Sequence, residues 1–317
     1  MNGSALRACA LAATLLCGCA APPMMQVRPP SAPSQDAPGH QTGVFEGDGG
    51  ARLFEQSWRP GGTPRAVLVV HHGLKDHSAR YGEFAARMVA RGFAVYGYDM
   101  RGHGRSSGRR ATLDSFDALL GDLSVFMARV RQREPGRPVF LLGHSVGGAV
   151  VTLYALERRP PLAGLIVLAP ALRVDRAPIE AAATPIVGAL APNFGAVDTP
   201  DEEFSRSPEV VREMGADPLV YHETGPARTA AALVAALERI WARADTLDVP
   251  VLGVHGTVDR LTDPRGTAEL IRRARHADHT LILYRGLRHD LIHEPEREQV
   301  MSDLERWLDE RAPRAAP

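Results

Sequence analysis

From residue 66 onward, short unbroken apolar runs alternate with longer stretches in which apolar residues recur every three or four positions. Ala66–His71, Phe93–Tyr98, Val139–Leu142, Gly164–Leu168, Val251–His255 and Thr280–Tyr284 read as strands, because such runs suit a sheet covered on both faces. Between them, Tyr81–Arg91, Leu113–Arg133, Val146–Arg158, Thr229–Ala244, Pro264–Ala274 and Pro295–Glu310 have the spacing of amphipathic helices. Asp263 before Pro264 marks a helix start, with a carboxylate cap and a proline in the first turn. Thr42–Phe45 and Arg52–Trp58 alternate well enough to form a hairpin around Gly47-Asp48-Gly49-Gly50. This rhythm predicts an α/β fold built on a mostly parallel, doubly wound sheet with helices on both faces.

Two stretches break the rhythm. Ala171–Gly225 is rich in alanine, proline and small apolar residues, then turns acidic at Asp201-Glu202-Glu203. A structureless loop of that length does not suit a compact domain, so residues 171–225 read as a helical cap inserted into a core of residues 42–170 and 226–312. Ala20–His40 is rich in Pro, Ala, Ser and Gln and reads as a tether, with residues 19–41 preceding the core. Before it, Arg7 and the apolar stretch Ala8–Leu16, too short to span a bilayer, have the form of an export signal over residues 1–18. Leu16-Cys17-Gly18-Cys19 resembles a bacterial lipobox, which implies that Cys19 carries acyl chains and anchors the domain to a membrane. Ala20, rather than Asp, follows Cys19, and by the same resemblance this points to the outer membrane.

Composition narrows the chemistry. The 317 residues carry 37 Lys+Arg against 37 Asp+Glu, and no basic stripe suggests nucleic acid as a partner. The 3 cysteines all lie within the first nineteen residues, so the body of the chain forms no disulfide and no thiolate metal site. Its chemistry must use oxygen and nitrogen groups.

The strongest candidate is Gly143-His144-Ser145-Val146-Gly147, set between a predicted strand and a predicted helix. That is the form of a nucleophile elbow, a turn so sharp that Gly143 and Gly147 must lack side chains while Gly148 lets the helix approach the sheet. A serine hydroxyl needs a base to take its proton and an acid to orient that base. Ligands bind at the carboxyl ends of strands in such sheets. Asp259 follows Val251–His255 and His289 follows Thr280–Tyr284, and the order Ser145, Asp259, His289 matches that of α/β-hydrolases. Asp263 and His293 are the rivals for the acid and the base. Acyl transfer also needs N–H donors for the developing oxyanion. Val146 N–H supplies one, and Leu74 N–H the other if Gly73 gives its loop an unusual backbone. Metal readings are weaker. His289-Asp290-Leu291-Ile292-His293 has Asp290 where a zinc enzyme's glutamate base belongs, and Leu74 interrupts the histidines of His71–His77.

These pieces together resemble α/β-hydrolases of the monoacylglycerol lipase and lysophospholipase group, the serine aminopeptidase-like hydrolases. The resemblance rests on HHGLKDHSARYGEF (His71–Phe84), YDMRGHGRSSG (Tyr98–Gly108), GHSVGG (Gly143–Gly148), DPLVYH (Asp217–His222), HGTVDRLTDP (His255–Pro264) and GLRHDLIHE (Gly286–Glu294), in order over nearly the whole domain. Val146 stands where many relatives have methionine, which is expected to alter pocket shape only, and Asp99 and Arg101 are expected to be structural. The resemblance implies hydrolysis of the ester of a small single-chain lipid held beneath the cap, with no metal or organic cofactor. A general short-chain carboxylesterase, a peptidase, and a lipid-binding lipoprotein without catalysis are the alternatives.

Overall fold

The computed structural model describes residues 24–25, 39–174 and 191–314. The expected signal peptide, Cys19 and residues 175–190 of the expected cap lie outside the described residues. The strands are β1 (His40–Glu46), β2 (Arg52–Trp58), β3 (Ala66–His71), β4 (Phe93–Tyr98), β5 (Val139–His144), β6 (Gly164–Leu168), β7 (Val251–Gly256) and β8 (His279–Tyr284). They form one 8-stranded sheet in the order β8-β7-β6-β5-β3-β4-β2-β1. The hairpin β1–β2 and the β2–β4 pair are antiparallel, and every other pairing is parallel. Strand order reverses between β3 and β5, and a crevice opens there beyond their carboxyl ends.

The pleat sends alternate strand residues to two cores. Val67, Val69, Leu141 and Val167 meet the helices α2 (Phe116–Arg133), α3 (Val146–Arg158), α5 (Ala227–Trp241) and α6 (Pro264–Arg273). Leu68, Val70, Phe140, Leu142 and Ile166 meet α1 (Gly82–Ala90) and α7 (Arg297–Arg311) on the other face. β3, β5, β6 and β7 are buried along their whole length, as their unbroken apolar runs require, while the edge strands β1 and β8 are partly exposed. Trp307 of α7 stands edge-on to Phe140 with ring centroids 6.2 Å apart. A Cβ on Gly164 would lie 2.5 Å from Trp307 Cη2, so this strand must begin without a side chain.

Helix boundaries follow local capping. Ser115 Oγ accepts from Asp117 N–H, so α2 begins at Phe116 rather than at Leu113. Asp263 caps α6 through Arg265 N–H, with Pro264 in the first turn as expected. Within the region that broke the rhythm, α4 (Pro208–Ala216) starts at Ser207 and Pro208, and Gly195–Val197 pairs with Gly225–Pro226 as a small hairpin. Asp201–Glu203 is a single turn of 3-10 helix.

Candidate active site

β5 turns into α3 at Ser145, whose φ of 54° and ψ of −123° lie where side chains are strongly disfavoured. The surroundings hold it there: Ser145 N–H donates to Leu168 C=O (3.0 Å), and Ser145 C=O accepts from Ala171 N–H (2.8 Å). A Cβ on Gly143 would meet Gly147 C=O at 2.4 Å, and one on Gly147 would meet His72 C=O at 2.3 Å. Gly148 faces Pro170, where a Cβ would come within 2.6 Å. Val146 N–H begins α3, and the positive end of the helix dipole adds to its pull on an anion. Among the described residues neither Val146 N–H nor Leu74 N–H donates to another group. Gly73 differs from expectation. It is not Gly73 but Lys75, at φ 65°, that takes the left-handed backbone. The reason for glycine at 73 is space, since a Cβ there would stand 3.0 Å from Ser145 Cβ.

Asp259 and His289 come together from the loops after β7 and β8, with His289 Nδ1–H donating to Asp259 Oδ2 at 2.7 Å. The other carboxylate oxygen, Oδ1, accepts from Leu261 N–H (2.8 Å) and Thr262 N–H (3.0 Å). Thr262 Oγ1 (2.9 Å) and His255 Nε2 (3.1 Å) also donate to Oδ2, and His255 Nδ1 accepts from the Thr267 hydroxyl at 2.7 Å. Burial alone would raise the Asp259 pKa, but the His289 charge and the hydrogen bonds from His255 and His289 hold the carboxyl far below the usual range. Burial disfavours the His289 cation, yet the Asp259 charge and hydrogen bond outweigh it and raise the imidazole above its ordinary value. Neighbouring His144, its ring 4.8 Å from that of His289, is pushed down to about 4 by burial and then by the His289 charge.

The rivals have other partners. Asp263 caps α6 and pairs with Arg173 and Arg265. His293 donates from Nδ1 to Asp290 (2.8 Å) and faces Arg80 C=O with Nε2 (3.1 Å). His72 is locked as a neutral ring, donating to Gly73 C=O at 2.7 Å and accepting from Met100 N–H at 2.8 Å, so neither nitrogen is left for a metal. Asp99 accepts from Ser78 and Arg105 N–H, while Arg101 forms a two-pronged pair with Asp122. Both hold the 98–108 loop, as a structural role requires.

A further cluster was not visible in the sequence. Arg80 reaches Asp290 (2.6 Å) and Asp76 (3.4 Å), all three groups being largely buried. It fastens the loop after β3 to the loop that carries His289. The signal for it was present in the motifs His71–Phe84 and Gly286–Glu294, but only the fold brings those motifs face to face. His255, one residue from the end of β7 and four before Asp259, was likewise unassigned.

Ser145 and His289 both open into one cavity of about 320 Å³. Leu74, Leu113, Val146, Ala171, Val197, Ala230 and Leu233 give it an apolar wall, and Asp198, Glu203 and Arg260 a polar end. A serine hydroxyl and an imidazole held by a buried carboxylate on one apolar cavity, with two N–H donors that have no partner among the described residues, are equipped for acyl transfer to and from a serine.

Comparison with known proteins agrees. Residues 62–296 match the family described as serine aminopeptidase, S33. The monoacylglycerol lipase of Mycolicibacterium smegmatis is 35% identical over 266 residues, covering 83% of this chain and 95% of that protein. The human monoglyceride lipase is 32% identical over 288 residues, covering 89% and 93%. In structure, Paleococcus ferrophilus monoacylglycerol lipase superposes with a TM-score of 0.73 at 29% identity, covering 82% of this chain and 99% of that one. With the elbow, the cavity and these relatives in view, the chain belongs to the serine aminopeptidase S33 family, with the α/β-hydrolase fold, and is a serine ester hydrolase.

Proposed function

We propose that the protein hydrolyses carboxylic esters of single-chain lipids, of the monoacylglycerol or lysophospholipid kind, through an acyl-enzyme on Ser145. In this reading Ser145 Oγ attacks the ester carbonyl while His289 Nε2 takes its proton. Asp259 keeps the His289 proton on Nδ1 and stabilises the imidazolium. Val146 N–H and Leu74 N–H receive the oxyanion. The leaving alcohol takes the proton from His289, and water then repeats the sequence to release the fatty acid. The observation that carries the reading is the cavity that joins Ser145 and His289 to a wall of aliphatic side chains. The names of the relatives, monoacylglycerol and monoglyceride lipases, support the same class of substrate.

The test is hydrolysis of p-nitrophenyl esters from short to long, alongside monoacylglycerol and lysophosphatidylcholine. Preference for the lipids over acetate and butyrate esters is the expected result, and the reverse order would make the protein a short-chain carboxylesterase. Ser145→Ala is expected to abolish turnover with little change in stability; retained turnover would remove the mechanism.

The same proposal sets the enzyme beside its substrate. The Leu16-Cys17-Gly18-Cys19 motif supports export and lipidation of Cys19, with the domain tethered to a bacterial outer membrane. Cys19→Ser is expected to release the protein into the soluble fraction, and a variant that stays with membranes would refute the anchor.

A further inference from the structure

Asp259 shares one oxygen between two histidines. Its Oδ2 lies 2.7 Å from His289 Nδ1 and 3.1 Å from His255 Nε2. The side chains of His255, Asp259 and Thr267 have no exposed surface. His289 opens into the cavity with Ser145, and His255 is not part of its lining. Whatever His255 contributes to the reaction must therefore pass through Asp259.

The His255 ring is fixed in one tautomer. Nε2 faces two acceptors, Asp259 Oδ2 and Thr262 C=O at 3.2 Å, so it carries the proton. Nδ1 is then a lone pair, and the Thr267 hydroxyl of α6 fills it at 2.7 Å. His255 stands on β7 in register with Leu283 of β8, and Thr267 Cγ2 occupies the space beside Gly253, where a Cβ would come within 2.7 Å of it. Sheet and helix thus hold the imidazole, and the imidazole holds the carboxylate. Leu261 N–H and Thr262 N–H bind Oδ1, but both belong to the loop that carries Asp259 and move with it. Two N–H groups on Oδ1 and two imidazoles on Oδ2 take the roughly four lone-pair directions of a carboxylate. The Thr262 hydroxyl, 2.9 Å from Oδ2, has a second acceptor in Ala169 C=O at 3.2 Å.

We propose that His255 is a positioning residue for the reaction, aiming Asp259 Oδ2 at His289 Nδ1, with Thr267 fixing its tautomer. The inference rests on the reading of Ser145, His289 and Asp259 as a triad, and extends it by two residues. Without the second N–H, Asp259 is less firmly aimed and kcat falls. Oδ2 also keeps more of its charge for His289, which favours the imidazolium. The acid limb of the rate then moves to higher pH, opposite in sign to the effect of Asp259→Asn, which removes the charge. His289 also faces Asp290 and Asp76, which favour its cation, and the ring of His144 at 4.8 Å; all three stay in place when residue 255 or 267 is changed.

The experiment measures kcat and KM against pH on a soluble p-nitrophenyl ester for the full-length protein, as wild type, His255→Leu, His255→Gln, Thr267→Val and Asp259→Asn. His255→Leu is expected to lower kcat about tenfold with KM little changed, as loss of one hydrogen bond to a charged group does, and to move the acid limb upward. His255→Gln, whose amide returns an N–H to Oδ2, should recover most of kcat and bring the limb back toward wild type. Thr267→Val keeps the volume and removes the hydroxyl, which weakens His255 as a donor, so both effects should appear in the same direction and smaller. A limb that stays in place in His255→Leu overturns the inference, as does a loss confined to KM or a glutamine variant no better than leucine. Should the leucine variant not fold, Thr267→Val decides, and an unmoved limb there overturns the inference. Wild-type activity in Asp259→Asn would instead overturn the triad, and this inference with it.

Discussion

Asp259→Asn separates the proposed role of the carboxylate from its structural one. Its Oδ1 faces two backbone donors, Leu261 N–H and Thr262 N–H, so the asparagine carbonyl must take that position. The amide NH₂ then occupies the place of Oδ2 and points at His289 Nδ1. It donates there, which fixes the His289 proton on Nε2, the atom that has to accept from Ser145. The charge is lost as well. Two unit charges about 4 Å apart interact by about 4 kcal/mol at an effective dielectric near 20, equivalent to roughly a thousandfold in rate. With the wrong tautomer added, the loss in kcat is expected to reach about 10⁴, as the same exchange does in other serine triads. The pH profile supplies a second readout. Rate requires neutral His289, whose pKa is raised, so wild-type activity falls as pH drops through a midpoint above 6.5. Removing the Asp259 charge lowers that pKa, and the residual activity of the variant should extend to more acid pH. The assay is kcat/KM against pH on a soluble p-nitrophenyl ester. Activity within tenfold of wild type, or an acid limb that does not move, would refute the triad.

Two other substitutions test the supports. Arg80→Met leaves Asp76 and Asp290 buried without their shared cation, so denaturation should show a loss of about 3–5 kcal/mol. The loss should shrink toward low pH, where those carboxylates take up protons, and a pH-independent loss would point to packing instead. Gly147→Ala puts a Cβ against the carbonyls of His71 and His72 at 2.4 and 2.3 Å, and is expected to cost about 1–3 kcal/mol and most of the activity. A variant with normal Tm and turnover would show that the elbow tolerates a side chain.

The sheet was legible because its central strands are buried on both faces and therefore unbroken in sequence. β3 and β6 agree with the residues read from it, and β5 and β7 run on by two residues and one residue into the active-site loops. The elbow was legible because sterics dictate glycine at 143 and 147. What stayed hidden is pairwise. His255 and Thr262 hold Asp259 from positions four before and three after it, and nothing in a lone histidine or threonine declares that. Arg80 and Asp290 are 210 positions apart. The helix α4 lay inside a stretch read only by composition, although Ser207-Pro208 is a start signal. Lys75 defied propensity altogether, because a left-handed lysine is a choice that no local rule favours.

The three groups of the proposed triad sit on three separate loops, and backbone groups take part in holding each of them. Ser145 is tied at its N–H and its C=O to the segment at and after the end of β6. Asp259 receives two N–H groups from its own loop, and His289 presents its C=O to His144 Nε2 at 3.3 Å, beside the elbow itself. Such ties do not depend on which side chains line the cavity. The apolar wall and the polar end can therefore change, at Val146 or at Glu203, while the reacting atoms stay in register. Substrate choice in this chain is then a property of the residues around the serine, and the aliphatic wall of Leu74, Val146 and Leu233 is where that choice is most exposed to test.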